Sequence, residues 1–226
     1  MSDKIDNEEF DRFKRLWKKH GAKVLGIVCI IFIAIIALQY WNKRTLENNL
    51  EAANLYQNLA VVIESSPNNT SAITAQANNI INLYPESIYS DFARFILAKN
   101  MISDNKLSQA ETVLAKIITD SKNKSLAAIA SVRLARIQIS QNNPTAAVVT
   151  LNNIKLAGFE LSKEMILGNA YFALKQYADA KVAWEKALKH ADKPELKNIN
   201  TLLKMKLDSL NVYLANHSDK QHSQEK

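Results

Sequence analysis

The chain has 226 residues, 47% of them hydrophobic, with four glycines, four prolines, one cysteine and a formal charge of +7. That length allows one sizeable domain beyond any anchor, and a lone cysteine excludes an internal disulfide framework, so folding must rest on packing. The charge divides into +2 over residues 1–23, +2 from Lys43 and Arg44, and +3 over residues 45–226, leaving no concentrated basic stripe for DNA or RNA.

The first element is a basic arm, residues 1–22, leading into an apolar run. From Val24 to Trp41 there are eighteen residues, about 27 Å of helix, close to the hydrocarbon thickness of a bilayer. Between Val24 and Leu38 eleven are Val, Leu, Ile or Phe, contributing about −3 to −7 kcal/mol to insertion. Tyr40 and Trp41 stand where the run meets water, a level that favours rings with a polar edge. The run exits through Leu38, Gln39, Tyr40, Trp41 and Asn42 without the small residues of a cleavage site. A retained transmembrane helix over 23–41 is therefore expected, rather than a cleaved signal or the buried helix of a soluble fold.

Orientation follows from the flanking charges. Arg12, Lys14, Arg15, Lys18, Lys19 and Lys23 precede the span, whereas only Lys43 and Arg44 follow it closely. Six against two keeps the arm in the cytoplasm and places the remainder across the membrane. Cys29, inside the span, reads as a small apolar filler, and Ala22 with Gly26 makes a single small-xxx-small step.

Residues 42–214 read as helical throughout, because Ala, Leu, Ile, Lys and Gln recur at helical rather than alternating spacing. Breaks are expected at "SSPNNTS", "YPES", "SDNK", "SKNKS", "QNNP" and "ADKPE". Thr45 to Glu64 continues outward from the span. Pro194 to Leu214 has the place of a terminal capping helix, and the wholly polar tail 215–226 is expected to lack structure.

The segments repeat. The clearest unit, "LSKEMILGNAYFALKQYADAKVAWEKALKHADKP" from Leu161, resembles a tetratricopeptide repeat, a helix-turn-helix of roughly 34 residues. Leu167, Gly168 and Tyr171 match its first helix, and Ala180, Trp184 and Ala187 its second; Glu164 and Pro194 depart from the pattern. Leu134, Ala135, Ala147, Leu151 and Ile154 recur 33 residues earlier, and Leu97, Ala98, Ala110, Leu114 and Ile117 another 37 before those. A more divergent unit begins near Asn54. The fold class expected is all-α, one N-terminal transmembrane helix followed by a tetratricopeptide-like helical-repeat solenoid.

Catalytic chemistry finds no footing. His20, His190, His217 and His222 lack metal-ligand spacing, and no paired-cysteine motif, nucleophile elbow or Gly-rich phosphate loop occurs. The reading is non-enzymatic, with no cofactor and no metal. The Asn-x-Ser/Thr triplets present are chance products of an Asn-rich chain.

The whole chain, on the basic arm, a span ending in "QYWN", "NLYQNL", and "RLARIQ" leading to "AWEKAL", resembles the YfgM family over residues 10–212. Those proteins are ancillary subunits of the bacterial Sec translocon. The resemblance implies an inner-membrane protein with a periplasmic repeat domain, associated with the SecYEG translocon and with a PpiD-like membrane-anchored chaperone. It implies a part in passing newly translocated chains to periplasmic chaperones, membrane lipid around the span, and a cytoplasmic stress-response regulator as a further partner. The alternative is a periplasmic adaptor for cell-envelope complex assembly, independent of the translocon.

In repeats of this kind one face of each first helix lines a groove. Residues spaced three, four and three apart share such a face. The candidates are Phe92, Phe95, Lys99 and Ile102; then Ile129, Val132, Arg136 and Ile139; then Met165, Asn169 and Phe172. Such a lining, apolar with scattered basic groups, suits an apolar or extended polypeptide segment. The competing reading is that these residues pack inside the stack.

Overall fold

The computed structural model describes residues 3–224, with side chains for residues 14, 17, 18, 23 and 25–216. The side chains of Arg12, Arg15, Lys19, His20, Ala22, His217 and His222, on which parts of the sequence reading rest, lie outside that set. Among the described residues every regular element is helical: α1 (Asp3–Ser65), α2 (Thr70–Leu83), α3 (Ile88–Ser103), α4 (Leu107–Asp120), α5 (Lys124–Ser140), α6 (Pro144–Asn152), α7 (Glu160–Ala173), α8 (Tyr177–His190), a 3-10 turn (Pro194–Leu196) and α9 (Lys197–Gln224). The chain divides into two compact units, Met1–Glu51 and Ala52–Lys226.

In the first unit, α1 carries a stretch long and apolar enough to cross a membrane. Ile30, Ile33, Ile36 and Trp41 expose between 63% and 73% of their surface. No described segment covers this apolar helix, and hydrocarbon is the solvent that does so without cost. Just past the aromatic pair, Lys43 and Glu47 approach to 3.9 Å one turn apart on the exposed helix.

The second unit is a stack of helical pairs. The last turns of α1 pack on α2 through Leu59, Ile73, Ala77 and Ile80. Next, α3 and α4 meet α5 around Ala98, Leu114, Ile117 and Leu134. Farther along, α5, α6 and α7 share Ala135, Leu151, Ile166 and Leu167. The end of the stack joins α8 to α9 through Trp184, Ala187, Leu203 and Leu210. Each helix thus packs chiefly on its sequence neighbours, with α5 also touching α7, the nearest-neighbour pattern of a helical repeat.

Asparagine starts several of these helices. Asn69 Oδ1 accepts the Ala72 N–H at 3.1 Å, Asn123 Oδ1 accepts those of Ser125 and Leu126 at 3.0 and 3.2 Å, and Asn143 Oδ1 that of Ala146 at 3.3 Å. Each cap satisfies a donor the helix cannot, typically worth about 1 kcal/mol. Pro144 follows its cap at the first helical position, where its missing N–H costs nothing.

The turn inside each pair is built the same way three times. Asn105, Asn142 and Lys175 hold left-handed φ angles of 57°, 60° and 60°. Their N–H groups donate to the carbonyls of Ile102, Ile139 and Phe172, and the N–H of the next residue reaches back to Met101, Gln138 and Tyr171 respectively. This paired closure is the Schellman arrangement, which satisfies the last carbonyls of the first helix and reverses the chain. The turns recur at the 37- and 33-residue spacings read from the sequence.

Close approach within the last pair depends on Gly168. A Cβ built there would collide with the Trp184 indole, so the ring lies flat against a backbone that only glycine leaves bare. The indole N–H donates to the Met165 carbonyl at 3.3 Å, satisfying the one polar atom of a side chain only 3% exposed. Elsewhere Asp91 and Arg94 form a buried ion pair at 3.1 Å, and Ser121 Oγ donates to the other Asp91 oxygen at 2.6 Å. This network ties the first turn of α3 to the junction between α4 and α5.

Every break expected from sequence falls at a helix junction; of the two junctions outside those breaks, residues 174–176 follow from the helix-turn-helix of the repeat, and the other is unannounced. After α6 ends at Asn152, residues 153–159 are irregular and include Gly158 at φ 89°. No proline or Asn-Pro pair marks this passage, so the local turn chemistry is quiet. At the other end, the helix α9 runs to Gln224, through most of the tail expected to lack structure. Residues 215–224 contain neither Gly nor Pro to stop it.

Candidate functional site

The first helices of two adjacent pairs leave a space between them. A cavity of about 610 Å³ opens between α3 and α5, with the last turns of α1 and a residue of α4 completing its wall. On its α3 side stand Phe92, Phe95, Lys99 and Ile102, the whole candidate set expected from that helix. Ile129 joins them from α5. Five of the candidate residues therefore share one space.

The wall is apolar and aromatic. Tyr56 of α1, Tyr89 and Phe92 form a ring cluster with centroids 5.6, 5.7 and 6.1 Å apart. Arg133, exposed, places its guanidinium 4.6 Å from the centroid of the Phe95 ring, so the cation is held against an aromatic face. Lys99 is exposed at the same cavity. Among the described residues no carboxylate lines it.

The remaining α5 candidates go elsewhere. Val132 is 7% exposed and belongs to the core between α5, α6 and α7, and Ile139 packs against that same core. Arg136 is exposed but does not line the cavity. The α7 candidates form a separate group: Met165 packs against two core clusters, and Phe172 meets Tyr177 and Trp184 at 5.6 and 5.8 Å. Asn169 Oδ1 is buried without a hydrogen-bond partner among the described residues. Tyr177 in turn donates its hydroxyl to that of Tyr213 at 3.2 Å, and that bond raises its pKa above 10.0 because ionisation would forfeit the donor.

Sequence reasoning missed Tyr56 and Arg133. Arg133 stands four residues after Ile129, an equally good helical neighbour, but the spacing chosen there was three, which leads to Val132. Tyr56 lies in the "NLYQNL" segment, whose signal in the sequence is its family likeness alone. Charges away from the cavity behave as surface groups: Lys122 donates to Glu86 at 2.8 Å and that bond holds the exposed Glu86 carboxyl below its usual range. Among the described residues no cluster of His, Cys, Asp or Glu could hold a metal ion.

The cavity offers apolar and cationic contact surface. The model of the tetratricopeptide repeat-like domain matches residues 14–212. The chain is 27% identical over 209 residues, 92% of its length and 97% of the relative's, to an Escherichia coli (strain K12) protein described as an ancillary SecYEG translocon subunit. Relatives of the same description in Haemophilus influenzae and Neisseria gonorrhoeae are 24% and 26% identical, each covering 91% of this chain and 97% of their own length. These matches bear out the family likeness read from the ordered motifs.

Proposed function

We propose, because this chain belongs to the tetratricopeptide repeat-like domain family, that it is a non-enzymatic scaffold of the Sec translocon, an ancillary SecYEG subunit. It is anchored in the inner membrane by one span, with its repeat domain in the periplasm. The observation that carries the role is the match to relatives of that description along 97% of their length, anchor and repeats together. The cavity between α3 and α5 supports a binding role, since it presents aromatic surface and two exposed cations where a polypeptide could lie.

In this reading the repeat domain receives newly translocated chains beside the channel and passes them to periplasmic chaperones, with a PpiD-like membrane-anchored chaperone as a standing partner. Photocrosslinking in living cells tests it. A photoreactive residue placed at Ile102 should trap SecY or a PpiD-like chaperone. Recovery of cell-envelope assembly proteins alone would replace the translocon role with that of an independent adaptor.

A further inference from the structure

We propose that the cavity between α3 and α5 selects an extended polypeptide segment in which a bulky apolar side chain stands beside a carboxylate. The inference rests on the binding role proposed above and adds the chemistry of the occupant. Phe92 to Ile102 covers eleven residues of α3 along the wall, so the ten rises between them make a slot of about 15 Å. That length matches roughly four or five residues of extended chain.

Charge complementarity sets the second half of the requirement. Among the described residues, the charged side chains that line the cavity are Lys99 and Arg133, both cations, with no carboxylate in the lining. Among the described residues neither is in an ion pair. The Arg133 guanidinium, a planar fork of five N–H donors, lies 4.6 Å from the Phe95 ring centroid and is exposed at the cavity. A flat donor edge beside an apolar wall is suited to a carboxylate carried next to an apolar group, and charge-assisted bonds of this kind are about twice as strong as neutral ones. A basic segment would meet two like charges and, among the described residues of the lining, no carboxylate to offset them.

The test uses the full chain in lipid nanodiscs and fluorescence anisotropy of a labelled, end-blocked peptide, Gly-Ser-Leu-Phe-Asp-Asp-Leu-Ser-Gly. Counterparts carry Asn or Lys in place of both Asp residues. The Asp peptide is expected to bind about tenfold more tightly than the Asn peptide, with the Lys peptide weaker still and the preference shrinking as salt is raised. The double variant Lys99→Glu/Arg133→Glu should invert the order, favouring the Lys peptide. Lys99→Gln/Arg133→Gln, which adds no new charge, should abolish the preference while lowering the melting temperature by no more than a few degrees, the loss expected of the cation–π contact on Phe95. Equal binding of the Asp and Asn peptides would overturn the carboxylate requirement and leave the cavity as an apolar binding site. Binding of none of the three would overturn both readings of the cavity.

Discussion

Lys175 holds a φ of 60°, an angle that Asn105 and Asn142 hold at the matching positions of the two preceding turns. Asparagine visits this region at modest cost, whereas a lysine with an ordinary Cβ loses about 1–2 kcal/mol there. Lys175→Gly removes that cost but adds freedom to the unfolded chain worth about 0.4–1 kcal/mol. The balance favours the variant by roughly 0.5–1 kcal/mol, to be read as a higher urea midpoint for the repeat domain. A second residue-scale effect concerns Tyr177, whose folded pKa lies above 10.0 because it donates to Tyr213. The associated stability is fully present below pH 10 and is lost as pH rises through the folded value. Tyr213→Phe should therefore bring the Tyr177 titration back down toward its ordinary value, measurable by absorbance at alkaline pH, and should remove this pair's contribution to the alkaline stability profile.

At the scale of the element, α5 explains why the site was only half legible in the sequence. Helix α4 buries one clean stripe, Ala110, Leu114 and Ile117, so its inward face follows from spacing alone. Helix α5 buries Leu126, Ala128, Ala130, Ser131, Val132, Leu134, Ala135, Ile137 and Gln138, residues that go most of the way round it. A helix covered by α4, α6 and α7 at once has no single apolar stripe, and periodicity cannot choose between Val132 and Arg133. The α3 set survived because α3 has one side on the cavity. The distinction has a measurable form: Val132→Ala should cost about 1–3 kcal/mol of stability with peptide capture unchanged per folded molecule, as expected of a truncated core residue. Lost capture at unchanged stability would place Val132 on the binding surface instead. Helix junctions were easier to read, since Asn, Ser and Pro act through their own backbone neighbours. The stretch 153–159 escaped because its one strong signal, Gly158, stands alone.

For the molecule as a whole, the anchor and the repeats answer to different solvents. No described residue covers the apolar helix of the first unit, while the second unit closes its own core with α9 over the last pair. Basic residues before the span set which side the repeats occupy. A thiol introduced at the exposed Lys175, in a chain with Cys29→Ser, should react with a membrane-impermeant maleimide in intact spheroplasts. Protection until the cells are lysed would place the repeats in the cytoplasm and remove the basis for a periplasmic receptor.

Of the three tryptophans, Trp17 and Trp41 belong to the first unit, so Trp184 is the single indole of the repeat domain. Wedged on the bare backbone of Gly168 with its N–H satisfied, it should emit at short wavelength and shift red when the final pair loosens. Excitation of a chain lacking the two membrane-proximal indoles would thus give a native optical gauge of that one joint, silent toward events at the far end of the array.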